Sequence, residues 1–202
     1  MTDLELLDAN DSRLAASSDL AMAVRQLRDA ELVASEPSEH RDDVLAFLFA
    51  HDDAAHRANA IGHLTGSALV VDAAGIHALL MLHRKLGRWF QPGGHADGNT
   101  NLASVARREA TEETGIAGLR VAVPAIDIDV HRVEPPGEAA HLHLDVRFLV
   151  VAPPGAREVA NEESLALRWV EEAGLSTLTP PVDDGTRRLV VRGLKVAASL
   201  TP

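Results

Sequence analysis

Residues 93–100 read GGHADGNT, and residues 101–116 that follow read NLASVARREATEETGI. A glycine-rich turn thus runs straight into a segment of helical periodicity, in which Leu102, Val105, Ala106 and Ala110 fall at i, i+3, i+4 and i+8 and make one apolar stripe. Asn101 or Thr100 can cap its start through a side-chain oxygen, and Gly115 is placed to end it in a left-handed conformation. Glu109, Glu112 and Glu113 share another face. Like charges at this spacing cost a helix roughly 0.2–0.5 kcal/mol per pair, and these lie near the C-terminal end, where the helix dipole disfavours anions. Two unfavourable placements of one sign call for a cation, and clustered carboxylate oxygens suit hard Mg²⁺ or Mn²⁺. Arg108 is placed to orient one of the glutamates. Taken alone, such a helix reads as a solvated acidic face; the glycine turn at a fixed distance tips the reading toward a metal.

The spacing Gly94-x5-Thr100-x7-Arg108-Glu109-Ala110-x-Glu112-Glu113-x-Gly115-Ile116 resembles the Nudix box, G-x5-E-x7-R-E-U-x-E-E-x-G-U with U a bulky aliphatic residue. Every spacing is kept; Thr100 stands where the family has Glu, and Ala110 is small for U. The resemblance extends from the strands near Ile61 to Trp169-Val170. It implies an α/β/α sandwich with a mixed sheet, and metal-dependent hydrolysis of a nucleoside diphosphate linked to another group. Carried over, Glu109 and Glu113 are the principal metal ligands, Glu112 is a ligand or a water-bridged partner, the Gly93 carbonyl is a further ligand, and Arg108 orients glutamates by charge-assisted hydrogen bonds. Bound metal would neutralise diphosphate oxygens and acidify a water, while the bare glycine turn exposes backbone to the ion. Thr100 predicts at most a lower metal affinity.

Outside the box, Asn161-Glu162-Glu163-Ser164 before Leu167-Arg168-Trp169-Val170 resembles the acidic loop that often precedes the W-V strand in the family; Glu163, then Glu162, is the candidate base or extra ligand, with a solvated turn as the alternative. In HLHLDVRFLV, period-two alternation opposes Leu142, Leu144, Val146 and Phe148 to His141, His143, Asp145 and Arg147, and the preceding strand opposes Ile126, Ile128 and Val130 to Asp127, Asp129 and His131. Antiparallel pairing around Pro135-Pro136-Gly137 would gather His131, His141, His143 and Asp145 into a polar patch for a substrate phosphate or base, or a further metal, unless that face simply meets water. Arg84, Lys85 and Arg88 are placed to attract phosphates or lie on a solvated loop. Trp89 and Phe90 read as core packing rather than base stacking, and His95 as a neutral loop residue beside the metal turn.

Residues 1–58 read as a helical extension: DLAMAVRQLRDAELV favours helix formers, and Pro37 sits in the first turn of a second helix capped by Ser35 or Ser38. Residues 59–202 read as the hydrolase domain, with strands in HLTGSALVVD, HALLMLH, 118–131, 141–152 and near 167–170, a turn at Ala73-Ala74-Gly75, and a closing helix over 183–200. The chain has 202 residues, 46% of them hydrophobic, a formal net charge of −11 and no cysteine. That charge argues against nonspecific nucleic-acid binding. The missing cysteine removes disulfides, thiolate metal sites and the cysteine-dependent isoprenyl diphosphate isomerase chemistry of some relatives. An acidic N-terminus and the want of a long apolar run predict a cytoplasmic protein without a signal peptide or membrane span; a homodimer is a further expectation. Oxidised nucleoside triphosphates, dinucleoside polyphosphates, ADP-ribose, other nucleotide sugars and coenzyme A all fit the box. A module that senses a nucleotide without cleaving it is the competing reading.

Overall fold

The computed structural model describes residues 4–134, 137 and 139–200. In chain order its elements are β1 (Glu5–Leu7), α1 (Leu20–Asp29), α2 (Ser35–Ala50), β2 (Gly62–Val71), β3 (Ala78–His83), β4 (Trp89–Phe90), β5 (Gly93–His95), α3 (Leu102–Thr114), β6 (Arg120–Val123), β7 (Asp127–Val133), β8 (His141–Val151), β9 (Ser164–Val170) and α4 (Asp184–Leu200). Short 3-10 turns cover Ser12–Leu14 and Glu172–Thr177.

The spine is a parallel pair, β2 beside β8, in register from Gly62↔Leu142 to Val71↔Val151. Each spine strand then divides its other edge between two antiparallel neighbours. β2 takes β5 at Thr65–Ser67 and β3 at Val70–Val71; β8 takes β7 over His141–Arg147 and β6 at Val150–Val151. β3 continues to β4 and β9, and β6 to β1. Side-chain alternation sorts the two faces. Leu64, Ala68, Leu144, Val146 and Phe148 join Leu102 and Ala106 of α3, Leu27 of α1 and Val44 of α2 in one core. Leu69, Val71 and Leu149 join Leu189, Val190 and Ala197 of α4 in the other. This is the expected α/β/α sandwich with a mixed sheet. Helix α3 lies so close to β2 that a Cβ on Gly66 would stand 2.9 Å from the Leu102 carbonyl oxygen and 3.1 Å from Val105.

Three expectations are refined. The strand expected over 118–131 is two strands, β6 and β7, because Pro124 between them has no N–H to continue a ladder. The N-terminal segment carries its two helices, but Glu5–Leu7 adds a strand to the sheet, paired Glu5↔Val123 to Leu7↔Val121; three residues are too few for periodicity to reveal. In α2, Pro37 does lie in the first turn, yet Ala34 holds the cap position without a side-chain bond, and the Ser38 hydroxyl donates back to the Ala34 carbonyl. Strands β7 and β8 pair antiparallel as expected, with His131↔His143 and Asp129↔Asp145; Pro135 and Pro136 of the connecting loop lie outside the described residues. Among the described residues no helix is long and apolar enough to cross a membrane.

Candidate active site

Helix α3 is held at both ends. Gly115 closes it at φ 67°, the left-handed position that glycine takes without a Cβ penalty. At its start Asn101 caps, and the N-terminal segment supplies the remaining partners. Gln26 Oε1 accepts from the Leu102 N–H at 2.8 Å while Gln26 Nε2 donates to Asn101 Oδ1 at 2.9 Å. Asn101 Nδ2 donates to the carbonyls of Arg13 and Ala15 at 2.8 and 2.9 Å. The Thr100 hydroxyl donates to the carbonyls of Ser17 and Asp19. Thr100 therefore faces the N-terminal segment, not the glutamates.

The other end of α3 meets the glycine turn. The Gly93 N–H donates to Glu113 Oε2 at 2.9 Å, and Glu113 is buried at 4% exposure. Burial pushes its pKa up to about 8; the Gly93 N–H opposes that rise, and the negative charges of Glu109 and Glu163 add to it. Glu109 is also raised by burial, against the pull of Arg108. A Cβ on Gly94 would fall 2.5 Å from Glu109 Oε1 and 2.7 Å from Oε2, so the carboxylate keeps this position only against a bare backbone. Arg108 bridges its neighbours, 2.7 Å from Glu109 Oε1 and 3.2 Å from Glu112 Oε2, and reaches the His95 carbonyl at 3.4 Å. Glu112 is the most solvent-facing of the three. Thus Gly93, Arg108, Glu109, Glu112, Glu113 and the loop residue Glu163 converge on one site. This donor set is all oxygen and rich in negative charge, with two of its carboxylates pushed toward protonation chiefly by burial, and it fits a hard divalent cation.

Two sequence expectations need correction. Arg84 does not present a free guanidinium to substrate: its Nε donates to the Glu162 carbonyl at 2.8 Å and its terminal nitrogen to the Ser164 carbonyl at 3.0 Å, while its own N–H donates to the Glu163 carbonyl at 2.8 Å. It clamps the loop that carries Glu163. Asp145 is 2% exposed, with Oδ1 accepting from the Thr65 and Ser67 hydroxyls and Oδ2 from Arg147 Nε at 2.7 Å. Arg147 in turn pairs with Asp127 and Asp129, which Arg188 of α4 also meets. Asp145 is thus part of a buried ion network that joins β7, β8 and α4. Trp89 is buried and donates to the Thr179 carbonyl at 3.2 Å, in keeping with core packing.

His131, His141 and His143 do share a face, on the opposite side of the sheet from Glu109. They are joined there by His95 and by His63, whose ring centroid lies 4.7 Å from that of His141. Burial lowers the pKa of His63, and lowers those of His95 and His143 to about 4 and about 3, so these three imidazoles are neutral. Nothing in the sequence marked His63, because its register with His143 is a property of the sheet.

The family model described as NUDIX domain matches residues 63–191. The chain belongs to the Nudix family. It is a Nudix hydrolase, of an enzyme class that acts on phosphoric anhydride bonds. No curated protein matches the chain. Solved structures share its fold: an Ap4A hydrolase binary complex from C. elegans at 17% identity and TM-score 0.54, covering 67% of this chain and 98% of that one; the NUDIX domain of Shewanella oneidensis NrtR complexed with ADP ribose at 16% and 0.52, covering 75% and 97%; and the Nudix hydrolase RenU from M. smegmatis at 24% and 0.50, covering 70% and 89%.

Proposed function

We propose that this Nudix hydrolase cleaves the diphosphate linkage of a nucleoside diphosphate derivative and depends on Mg²⁺ or Mn²⁺. The observation that carries this reading is Glu113, a buried carboxylate fixed by the Gly93 N–H and crowded by Glu109 and Glu163. Glu109, Glu112, Glu113 and the Gly93 carbonyl are the groups that would hold the ion. When bound it supplies charge neutralisation of the phosphate oxygens and a more acidic water. Arg108 keeps Glu109 and Glu112 oriented through its two ion pairs. Glu163 is the base: it takes a proton from the attacking water as the new P–O bond forms, and the bridging P–O bond breaks with its electron pair leaving on the departing phosphate. Arg84 sets the position of that base.

The test is release of phosphate or nucleotide from a panel of nucleoside diphosphate derivatives with Mg²⁺ or Mn²⁺, run beside Glu113→Gln. ADP-ribose and a dinucleoside polyphosphate head the panel, since structures of the same fold are named for ADP ribose and Ap4A. Metal-dependent turnover that disappears in the variant supports the reading. A nucleotide-sensing module is the second reading, favoured by one observation: Thr100 is spent on the N-terminal segment. Tight nucleotide binding without turnover on any panel member would establish it instead.

A further inference from the structure

The sheet face away from Glu109 carries imidazoles that the hydrolytic reading leaves unused. His63 on β2 stands beside His143 on β8 in the parallel ladder, and His95 on β5 stands opposite Thr65, two residues along β2. Alternation puts these three on one face and Gly94, which abuts Glu109, on the other. The His63 ring centroid is 4.9 Å from that of His95 and 5.2 Å from that of His143, and His95 and His143 are 5.2 Å apart. One ring nitrogen from each histidine lies within 4.8 Å of the other two. His63 is 2% exposed, and neither of its ring nitrogens completes a hydrogen bond, the Asn59 backbone approaching without closing one. Nε2 of His143 is likewise buried and unpaired. A buried polar atom left so is destabilising. Such atoms meeting from two strands point to something that binds between them.

We propose that His63, His95 and His143 form a site for a transition-metal ion of the Zn²⁺ class, separate from the carboxylate site. Neutral imidazoles suit Zn²⁺ and its neighbours, whereas Mg²⁺ selects oxygen. With Zn–N of about 2.0–2.1 Å, tetrahedral ligation needs the nitrogens roughly 3.4 Å apart, so an ion would draw them in from within 4.8 Å. Two further imidazoles flank the three. His141, 4.7 Å from His63 by ring centroid, has Nδ1 2.9 Å from the Ala139 carbonyl. His131, 5.5 Å from His143, has Nδ1 2.9 Å from Asp129 Oδ2. An ion here ties β2, β5 and β8 together directly behind the turn that touches Glu109 and Glu113.

The experiment uses the untagged full chain, stripped with a chelator and kept in excess Mg²⁺, titrated with Zn²⁺ by calorimetry and with Co²⁺ by visible absorption. One equivalent is expected, with tetrahedral Co²⁺ bands. Binding should persist in Glu113→Gln and weaken in His63→Phe and His143→Leu by more than the roughly 10–100-fold that losing an outer partner costs. X-ray absorption of the Zn²⁺-loaded wild type needs no variant, and should show imidazole scattering with nitrogen at about 2.0 Å. Absence of stoichiometric binding, oxygen-only ligation, or loss in Glu113→Gln with retention in a folded His143→Leu overturns the proposal. None of these readouts depends on hydrolysis, so they stand apart from the outcome of the substrate panel.

Discussion

The Thr100 hydroxyl lies 2.8 Å from the carbonyl oxygen of Asp19 and 3.0 Å from that of Ser17. The one polar position that departs from the Nudix box is therefore turned into the N-terminal segment. A glutamate there would set a carboxylate against two carbonyl oxygens at a residue only 1% exposed. Thr100→Glu is expected to lose about 3 kcal/mol or more, the scale of an uncompensated buried charge, with no gain in Mg²⁺ affinity. Thr100→Val is expected to lose about 1 kcal/mol. Urea unfolding and Mg²⁺ titration of the three proteins check this; a glutamate variant as stable as the parent and tighter for Mg²⁺ refutes it.

Gly94 is fixed by contact rather than by backbone angle, since any Cβ would overlap the Glu109 carboxylate. Gly94→Ala should fold and yet push Glu109 out of place. Displacing a reacting group by about 1 Å costs on the order of 100-fold, so kcat with saturating Mg²⁺ is expected to fall by that much. Full activity in this variant would mean that Glu109 is free to move without consequence.

The local part of the site was legible in the sequence. The cap at Asn101, the left-handed Gly115 and the convergence of Glu109, Glu112 and Glu113 all lie within one helix and its flanking turn, where 3.6-residue periodicity and cap chemistry speak directly. Glu163, singled out by its place before the W-V strand, lies near Glu113. What failed was non-local. Arg84 shows a free cation in sequence because its partners, the carbonyls of Glu162 and Ser164, are some 80 residues away. Asp145 shows an open carboxylate because Thr65, Ser67 and Arg147 reach it only once β2 and β8 pair in parallel. His63 stayed unremarked for the same reason, and Glu5–Leu7 was too short to declare a strand.

Arg84 bonds the backbone of the loop that carries Glu163, and with Glu163 as the proposed base its variant should show an indirect effect. Arg84→Ala is expected to lower kcat while leaving KM within about 2-fold, because the interaction lost belongs to the transition state and not to substrate binding. In the double variant with Glu163→Gln the loss should be no greater than in Glu163→Gln alone, since both changes act on one group. A raised KM with multiplicative effects would return Arg84 to the substrate.

Glu113 makes both stability and ion binding depend on pH, with opposite signs. In the ion-free protein its pKa stands at about 8, against an ordinary 4.5, chiefly through burial. The folded state thus keeps a proton that the unfolded chain releases over this window, so the Glu113 contribution to unfolding free energy falls as pH rises from about 4.5 to about 8. A divalent ion held by Glu113, as proposed, would compete with that same proton. Apparent Mg²⁺ affinity should therefore rise with pH across the window and level off above it. Unfolding of ion-free wild type and Glu113→Gln at pH 5.5 and pH 8 reads the titration of Glu113 together with its coupling to Glu109 and Glu163. The wild type should lose stability relative to the variant on going to pH 8, and should regain more from added Mg²⁺ there than at pH 5.5. A difference between the two proteins that stays constant with pH would show that Glu113 does not titrate across this window and would refute the prediction.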